Sequence, residues 1–337
     1  MLNSVWAMFS RIVDYAGMFP PAQLPLEEAI RNHARYRNEP ESWMLGRFVC
    51  PAARLQELSP FIDELFSDGP SLAISVLGRS GRSGSDFLAD FRADLKCVSA
   101  FRQRHGERVK VDVYETRVPP ERTAVLLPIS SRHHWLVVLG ETLDALGPPR
   151  VRLFLEASPD ANLPNSMNHL MRIISEVNRF CRQTGLRLRS LPFGFKLRCG
   201  GTEASAFPSV EQLSSALNTC RDKWLPLKAT AGLHHPLRRF DAALGGYSHG
   251  FLNLWVAGLA AYEQLRDKGT AISEGEIASI LGDEQASNFV FDLEGVRWRN
   301  LTIPTLRIAE LRCSITSFGS CSFDEPREGL RKLGLIP

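Results

Sequence analysis

The sequence predicts an α/β protein built as a (β/α)8 barrel of the TIM type, irregular in places and carrying a C-terminal extension. Short β-rich runs alternate with amphipathic segments along most of the chain, the pattern of a parallel sheet covered by helices. Eight such runs can be counted. The length of 337 residues suits a barrel with additions, and 44% hydrophobic residues suffice for a large core.

The first strand is read near residues 11–14, just before Asp14-Tyr-Ala-Gly17 and the double proline Pro20-Pro21. Residues 43–49, 71–77 and 109–114 follow, each short and rich in β-branched or aromatic side chains. The fifth, sixth and seventh are read at 151–156, 193–196 and 225–229, and a weak eighth at 251–254. Stripes at the helical period fall between them, at 26–36, 87–104, 167–181 and 210–220. Pro25, Ser166, and Ser209 with Glu211 and Gln212 are the start signals. Residues 116–150 and 233–249 break the pattern with proline and histidine, hence the expected irregularity. Residues 250–262 are strongly apolar and read as a buried strand followed by a helix. The expected division is a barrel over residues 1–268 and an extension over 269–337 packed on it. The extension contains a helix, a hairpin-like piece at 289–298 and a final helix, with 317–326 as a capping loop that reaches the pocket.

Charge and cysteine usage narrow the function. Lys and Arg number 40 against 37 Asp and Glu, and a net charge of +3 is too small to attract nucleic acid or an anionic membrane. A small-molecule substrate is the expected partner. The seven cysteines never fall in a Cys-x-x-Cys spacing and read as reduced thiols. The first twelve residues lack the pattern of a secretory leader, and no run approaches the roughly 20 apolar residues that span a bilayer. A cytoplasmic protein is therefore expected. Six tryptophans and an apolar tail leave homo-oligomer contacts open.

In this fold active sites are built at the carboxyl ends of the strands. Asp14, Asp112, Glu115, Glu156, Lys196, Arg198, Lys228, His234 and His235 fall at or near such ends. A lysine inside an apolar strand, as in Phe193-Gly-Phe-Lys196 and Leu225-Pro-Leu-Lys228, is costly to bury as a cation. An apolar surround and a second nearby cation would favour the neutral amine, which can attack a carbonyl and form a Schiff base. A salt bridge from either lysine to a buried acid such as Glu156 is the plainer alternative. Gly200-Gly201 and Ala231-Gly232 follow the lysine strands. Glycines there let backbone amides approach an anion, which Arg198 can clamp, although tight turns also use them. His234-His235 lies past the seventh strand and offers one imidazole for proton transfer, with His249 a further candidate. The period of two leaves open which of Asp112 and Glu115 points inward.

The lysines lie thirty-two residues apart, as Lys196-Leu-Arg-Cys-Gly200 and Lys228-Ala-Thr-Ala-Gly232-Leu-His234. This arrangement resembles class I deoxyribose-phosphate aldolase, whose strand-six and strand-seven lysines are each followed four places on by glycine. Val111-Asp112-Val113 is similar to that family's acid-bearing fourth strand. The resemblance implies Lys196 as the Schiff-base lysine, Lys228 as the neighbour that lowers its pKa, and Asp112 as a proton relay. It covers only about residues 109–235, and Leu-Arg-Cys replaces the family's Thr-Ser-Thr. The chain also resembles a set of uncharacterised bacterial barrel proteins that share Asp-Tyr-Ala-Gly, Lys-Ala-Thr-Ala-Gly-Leu-His-His-Pro and Phe-Gly-Ser-Cys-Ser-Phe.

The leading expectation is thus a Schiff-base-forming lyase of the aldolase type acting on a small anionic carbonyl compound, with no cofactor. One rival is a divalent-metal enzyme using His234 or His235, His249, Glu115 and Glu156 as ligands. The other is a barrel that binds but does not catalyse.

Overall fold

The computed structural model describes residues 2–81, 83–120, 129–158, 163–183, 192–267 and 272–337. Eight parallel strands close into a barrel: β1 (Val13–Tyr15), β2 (Leu45–Pro51), β3 (Leu72–Leu77), β4 (Val109–Val118), β5 (Arg152–Ala157), β6 (Gly194–Arg198), β7 (Leu227–Thr230) and, much later in the chain, β13 (Ile315–Ser320). Hydrogen bonds from β13 to both β1 and β7 complete the circle.

Helices α2 (Leu26–Tyr36), α3 (Ser59–Leu65), α4 (Gly84–His105), α5 (Ile129–Asp144), α6 (Leu163–Gln183) and α7 (Val210–Asp222) follow successive strands and form the outer layer. Their apolar faces meet the outward side chains of the barrel. Ser209 and Gln212 make a reciprocal capping box that fixes where α7 starts, as their spacing predicts. Ser166, by contrast, lies inside α6.

The chain departs from the regular alternation after β7. A hairpin of β8 (Arg239–Asp241) and β9 (Gly246–Ser248) leads to α8 (Phe251–Asp267) and α9 (Glu274–Gly282). An antiparallel sheet of β10 (Phe289–Phe291), β11 (Gly295–Trp298) and β12 (Leu301–Pro304) comes next, then α10 (Thr305–Leu311). The strand expected at 251–254 is therefore the first turn of a 17-residue helix. Residues 251–262 are buried on every side, so no polar face marks the helical period and a strand looks equally plausible in the sequence. Phe251 and Trp255 press on Phe318 of β13, with ring centroids 5.2 and 5.4 Å apart.

This also corrects the expected boundary at residue 268. The stretch 269–337 supplies the barrel's closing strand, so it belongs to the barrel rather than merely packing on it. The stretch expected as a capping loop contains the end of that strand and the start of α11 (Asp324–Lys332). The helix α1 (Asn3–Phe9) packs against α10 and β11. No helix among the described residues is long and apolar enough to cross a membrane.

Candidate active site

TIM-barrel interiors are commonly filled by layers of branched apolar side chains. Here a ladder of ion pairs runs through the interior instead. At its lower level Arg47 of β2 donates to both oxygens of Asp112 at 2.6 and 3.1 Å, and its backbone amide donates to Asp14 at 2.7 Å. Above it, the Lys228 ammonium bonds Asp14 and lies 3.3 Å from Ser317 Oγ, which in turn donates to Asp14 at 2.8 Å. Gly46 makes this packing possible, because a Cβ there would stand 2.3 Å from Asp14 Oδ1.

A bulge in β4 brings two acids into the interior. Ile74 pairs with Val111 and Ser75 with Val113, which leaves Asp112 as an extra residue and shifts the alternation by one. Asp112 and Glu115 therefore both reach interior partners, whereas Tyr114 turns outward to donate to Asp94 of α4 at 2.9 Å. Strict alternation could not have revealed this.

The lysines stand side by side, Lys196 of β6 paired in register with Lys228 of β7. Glu115 bridges them, 2.9 Å from Lys196 Nζ and 3.2 Å from Lys228 Nζ, and accepts a further bond from Ser75. Lys196 also lies 3.3 Å from Glu156, which accepts from Arg198 at 2.7 Å and from Arg117 at 3.4 Å.

These contacts set the charge states. Burial alone pushes the Glu115 carboxyl up, but the two ammoniums outweigh it and bring it down to about 2. Burial likewise opposes ionisation of Asp14 and Glu156. Lys228 and Arg47 hold Asp14 below the usual carboxylate range, and Lys196, Arg198 and Arg117 do the same for Glu156. Burial disfavours the Lys196 ammonium, yet Glu115 and Glu156 leave its pKa above the ordinary lysine value. The expectation that a neighbouring cation keeps Lys196 neutral is thus corrected: its nearest charges are carboxylates. The salt bridge to Glu156, the plainer alternative, is present.

Above the ladder lies a mouth cavity of about 290 Å³. Lys196, Glu115 and Arg198 face it, with Gly201, Gly232 and His234, while Ala16, Phe19, Pro20 and Pro21 form one wall. The His234 Nδ1 is 2.7 Å from Glu325 on α11, a pairing that fixes the ring's orientation. Ala231 and Gly232, at the end of β7, have φ of +62° and +72°. For alanine that conformation is strained, a feature that clusters at functional sites.

Of the residues singled out in the sequence, the structure thus brings Lys196, Glu115, Glu156, Arg198, Gly201, Gly232 and His234 to the mouth or its floor. Others are elsewhere. Asp14 is fully buried beneath Lys228, so it supports the lysine rather than meeting a ligand. Asp112 sits one level too low to relay a proton to Lys196, engaged instead by Arg47. Gly200 serves backbone packing, with a Cβ there 2.9 Å from the Cα of Gly232. His235 is not on the cavity wall; its backbone bridges to Gly250. His249 is buried, its Nε2 2.6 Å from the Pro208 carbonyl. The His and Glu residues expected as metal ligands therefore do not converge on one point, and among the described residues no three His, Cys, Asp or Glu side chains are grouped to hold an ion.

Sequence reasoning missed Ser75 altogether, and it assigned no individual role to Ser317, Ser320, Cys321 or Glu325, although their stretch 317–326 was expected to reach the pocket. Ser75 was detectable as a polar residue within an expected strand, whereas the strand that carries Ser317 was not legible. Glu325 lies in the stretch 317–326, but its pairing with His234 could not be read from spacing along the chain. Burial pushes the Cys321 thiol up, which keeps it protonated.

The fold and site together define a (β/α)8 barrel with a cationic, lysine-floored mouth. No protein-family model matches the chain, and no curated protein or solved structure matches it, so kinship to the aldolases has no support beyond the motif resemblance.

Proposed function

We propose that the protein is an enzyme acting on a small anionic carbonyl compound held in the mouth cavity, with Lys196 at the reacting carbonyl. The observation that carries this reading is the position of Lys196 at the cavity floor, fastened between Glu115 and Glu156 with Arg198 beside it. Lys196 and Arg198 outnumber Glu115 among the carboxylate, ammonium and guanidinium groups that line the mouth, a balance that suits an anion.

The charge state favours electrostatic catalysis. The Lys196 ammonium donates to the carbonyl oxygen, His234 takes a proton from the adjacent carbon, and the enolate oxygen gains the stabilisation of a preformed cation. Return of the proton from His234 to carbon completes an exchange; if His234 instead takes the proton of a β-hydroxyl, the Cα–Cβ bond breaks to give the same enolate and a released aldehyde, which would make the enzyme a lyase.

The imine route is the second reading, favoured by two acceptors within reach of the Lys196 proton. Lys196 would pass that proton to Glu115 or Glu156, its nitrogen would add to the carbonyl carbon, and water would leave. In the resting site burial among paired charges holds Lys196 protonated and both acids ionised, so this transfer is uphill until an entering carbonyl weakens the pairs.

One experiment separates them. The protein is incubated with small aldehydes, ketones and 2-oxo acids in deuterium oxide, followed by NMR for exchange next to the carbonyl, and a parallel sample is reduced with borohydride for intact mass. Exchange without an adduct supports the enolate route, and an adduct abolished by Lys196→Ala supports the imine. Neither exchange nor adduct across the panel overturns the proposed function and favours a barrel that only binds.

A further inference from the structure

A second, larger cavity of about 820 Å³ opens beside the first. It runs outward from the ends of β5 and β6, between α6 and α7. Lys196 and Arg198 border both cavities, so the two meet at the reacting group. The outer groove is mainly apolar in character, with Met167 and Met171 from α6, Phe195 from β6, Ala216 from α7 and Phe207 from the loop after β6 on its wall. Methionine side chains adapt to varied apolar shapes, and the volume lies within the range of small-molecule sites.

Among the described residues, cations stand only where the groove meets the mouth, at Lys196, Arg198 and Arg117. The remaining charged groups on its wall are acidic: Glu156, already engaged by those cations, and Glu211 and Glu274 at the first turns of α7 and α9. A ligand lying across both cavities is thus selected to be anionic at one end and apolar at the other, and a second carboxylate would be repelled.

We infer that the groove holds the apolar tail of the substrate, so that the carbonyl compound acted on at Lys196 is an amphipathic monoanion such as a 2-oxo acid with a medium-length alkyl chain or an aryl group. The inference rests on the proposed function for its carbonyl head, while the groove itself depends only on the tail. Burial of each methylene is expected to tighten binding about three- to fourfold.

The test is calorimetric titration of the full chain with two series, straight-chain 2-oxo acids from pyruvate upward and simple fatty acids from butyrate to decanoate. It uses wild type, Ser215→Trp and Met167→Trp, each checked for folding by thermal melting. Both replaced side chains border the groove and neither is buried, so their enlargement fills it without overpacking the core. The expected result is affinity that rises with chain length in both series in wild type, a rise flattened by either tryptophan, and unchanged affinity for pyruvate. If fatty acids bind with that dependence but no 2-oxo acid exchanges or forms an adduct, the groove stands and the carbonyl chemistry falls. If pyruvate exchanges while affinity ignores chain length, the groove assignment falls alone. Absence of any decanoate binding, or a rise that persists in both tryptophan variants, also overturns it.

Discussion

Glu115 lies 2.9 Å from the ammonium of Lys196 and 3.2 Å from that of Lys228, so one carboxylate joins two lysines at the same level of neighbouring strands. Either lysine alone would be a costly buried charge; the shared carboxylate, with Asp14 and Glu156 flanking, makes the group tolerable.

Glu115→Gln is therefore expected to destabilise the protein by about 3–5 kcal/mol, the usual cost of leaving a buried partner uncompensated. Glu156→Gln should cost less, because its partners Arg198 and Arg117 have side chains 37% exposed and can turn to solvent. Urea unfolding at neutral pH compares them, and equal losses would refute the bridging role of Glu115.

Acid should act on the same group. The Glu115 carboxyl is held at about 2 in the folded protein, below its unfolded value of about 4.3, so its contribution is complete above that value. It disappears as pH falls toward 2, with Asp14 and Glu156 shifted in the same direction. Stability measured between pH 6 and pH 2, using roughly that span around the two pKa values, should fall less steeply in Glu115→Gln than in wild type.

His234→Gln should slow the proposed exchange next to the carbonyl by about 10²- to 10⁴-fold, the range for a lost general base, while leaving pyruvate affinity nearly unchanged. Glu325→Gln should slow it less, since the imidazole remains and only its orienting partner at 2.7 Å is weakened. A loss in affinity equal to the loss in rate would place His234 in binding instead of proton transfer.

Ala231→Gly is expected to raise stability by about 0.5–1 kcal/mol, because Ala231 has a φ of +62° that glycine adopts without a Cβ penalty. Differential scanning calorimetry gives the sign. Gly232→Ala should do the reverse, with a Cβ placed 2.8 Å from the Cα of Gly200 at a φ of +72°.

Truncation after residue 268 removes the closing strand and should leave a chain without cooperative thermal unfolding, read by near-ultraviolet circular dichroism. A folded 1–268 fragment would show that β13 is dispensable to the barrel.

Seven of the eight barrel strands were legible because they are short runs, mostly apolar, set between turn signals. The eighth was not, for a reason rooted in the site. Ile315–Ser320 carries Thr316, Ser317 and Ser320, and its interior face serves Lys228 and Asp14 instead of an apolar layer, so it lacks the hydrophobic signature of a core strand. The apolar run at 251–254 was the stronger signal and belonged to a helix. The lysines themselves stood out, since ammonium groups inside apolar strands demand partners. Whether those partners were cations or carboxylates was not legible, because Glu115 and Glu156 come from other strands and the bulge at Asp112 turns both Asp112 and Glu115 inward, against strict alternation.

Delivery of the closing strand so late in the chain orders the protein's biogenesis. Translation must pass residue 325 before Ser317 can reach Lys228, before Glu325 can grip His234, and before β1 gains its second neighbour. Until then β1 and β7 lack the strand that joins them, so an incomplete chain cannot assemble the site and leaves those two edges open to chaperones or to other chains.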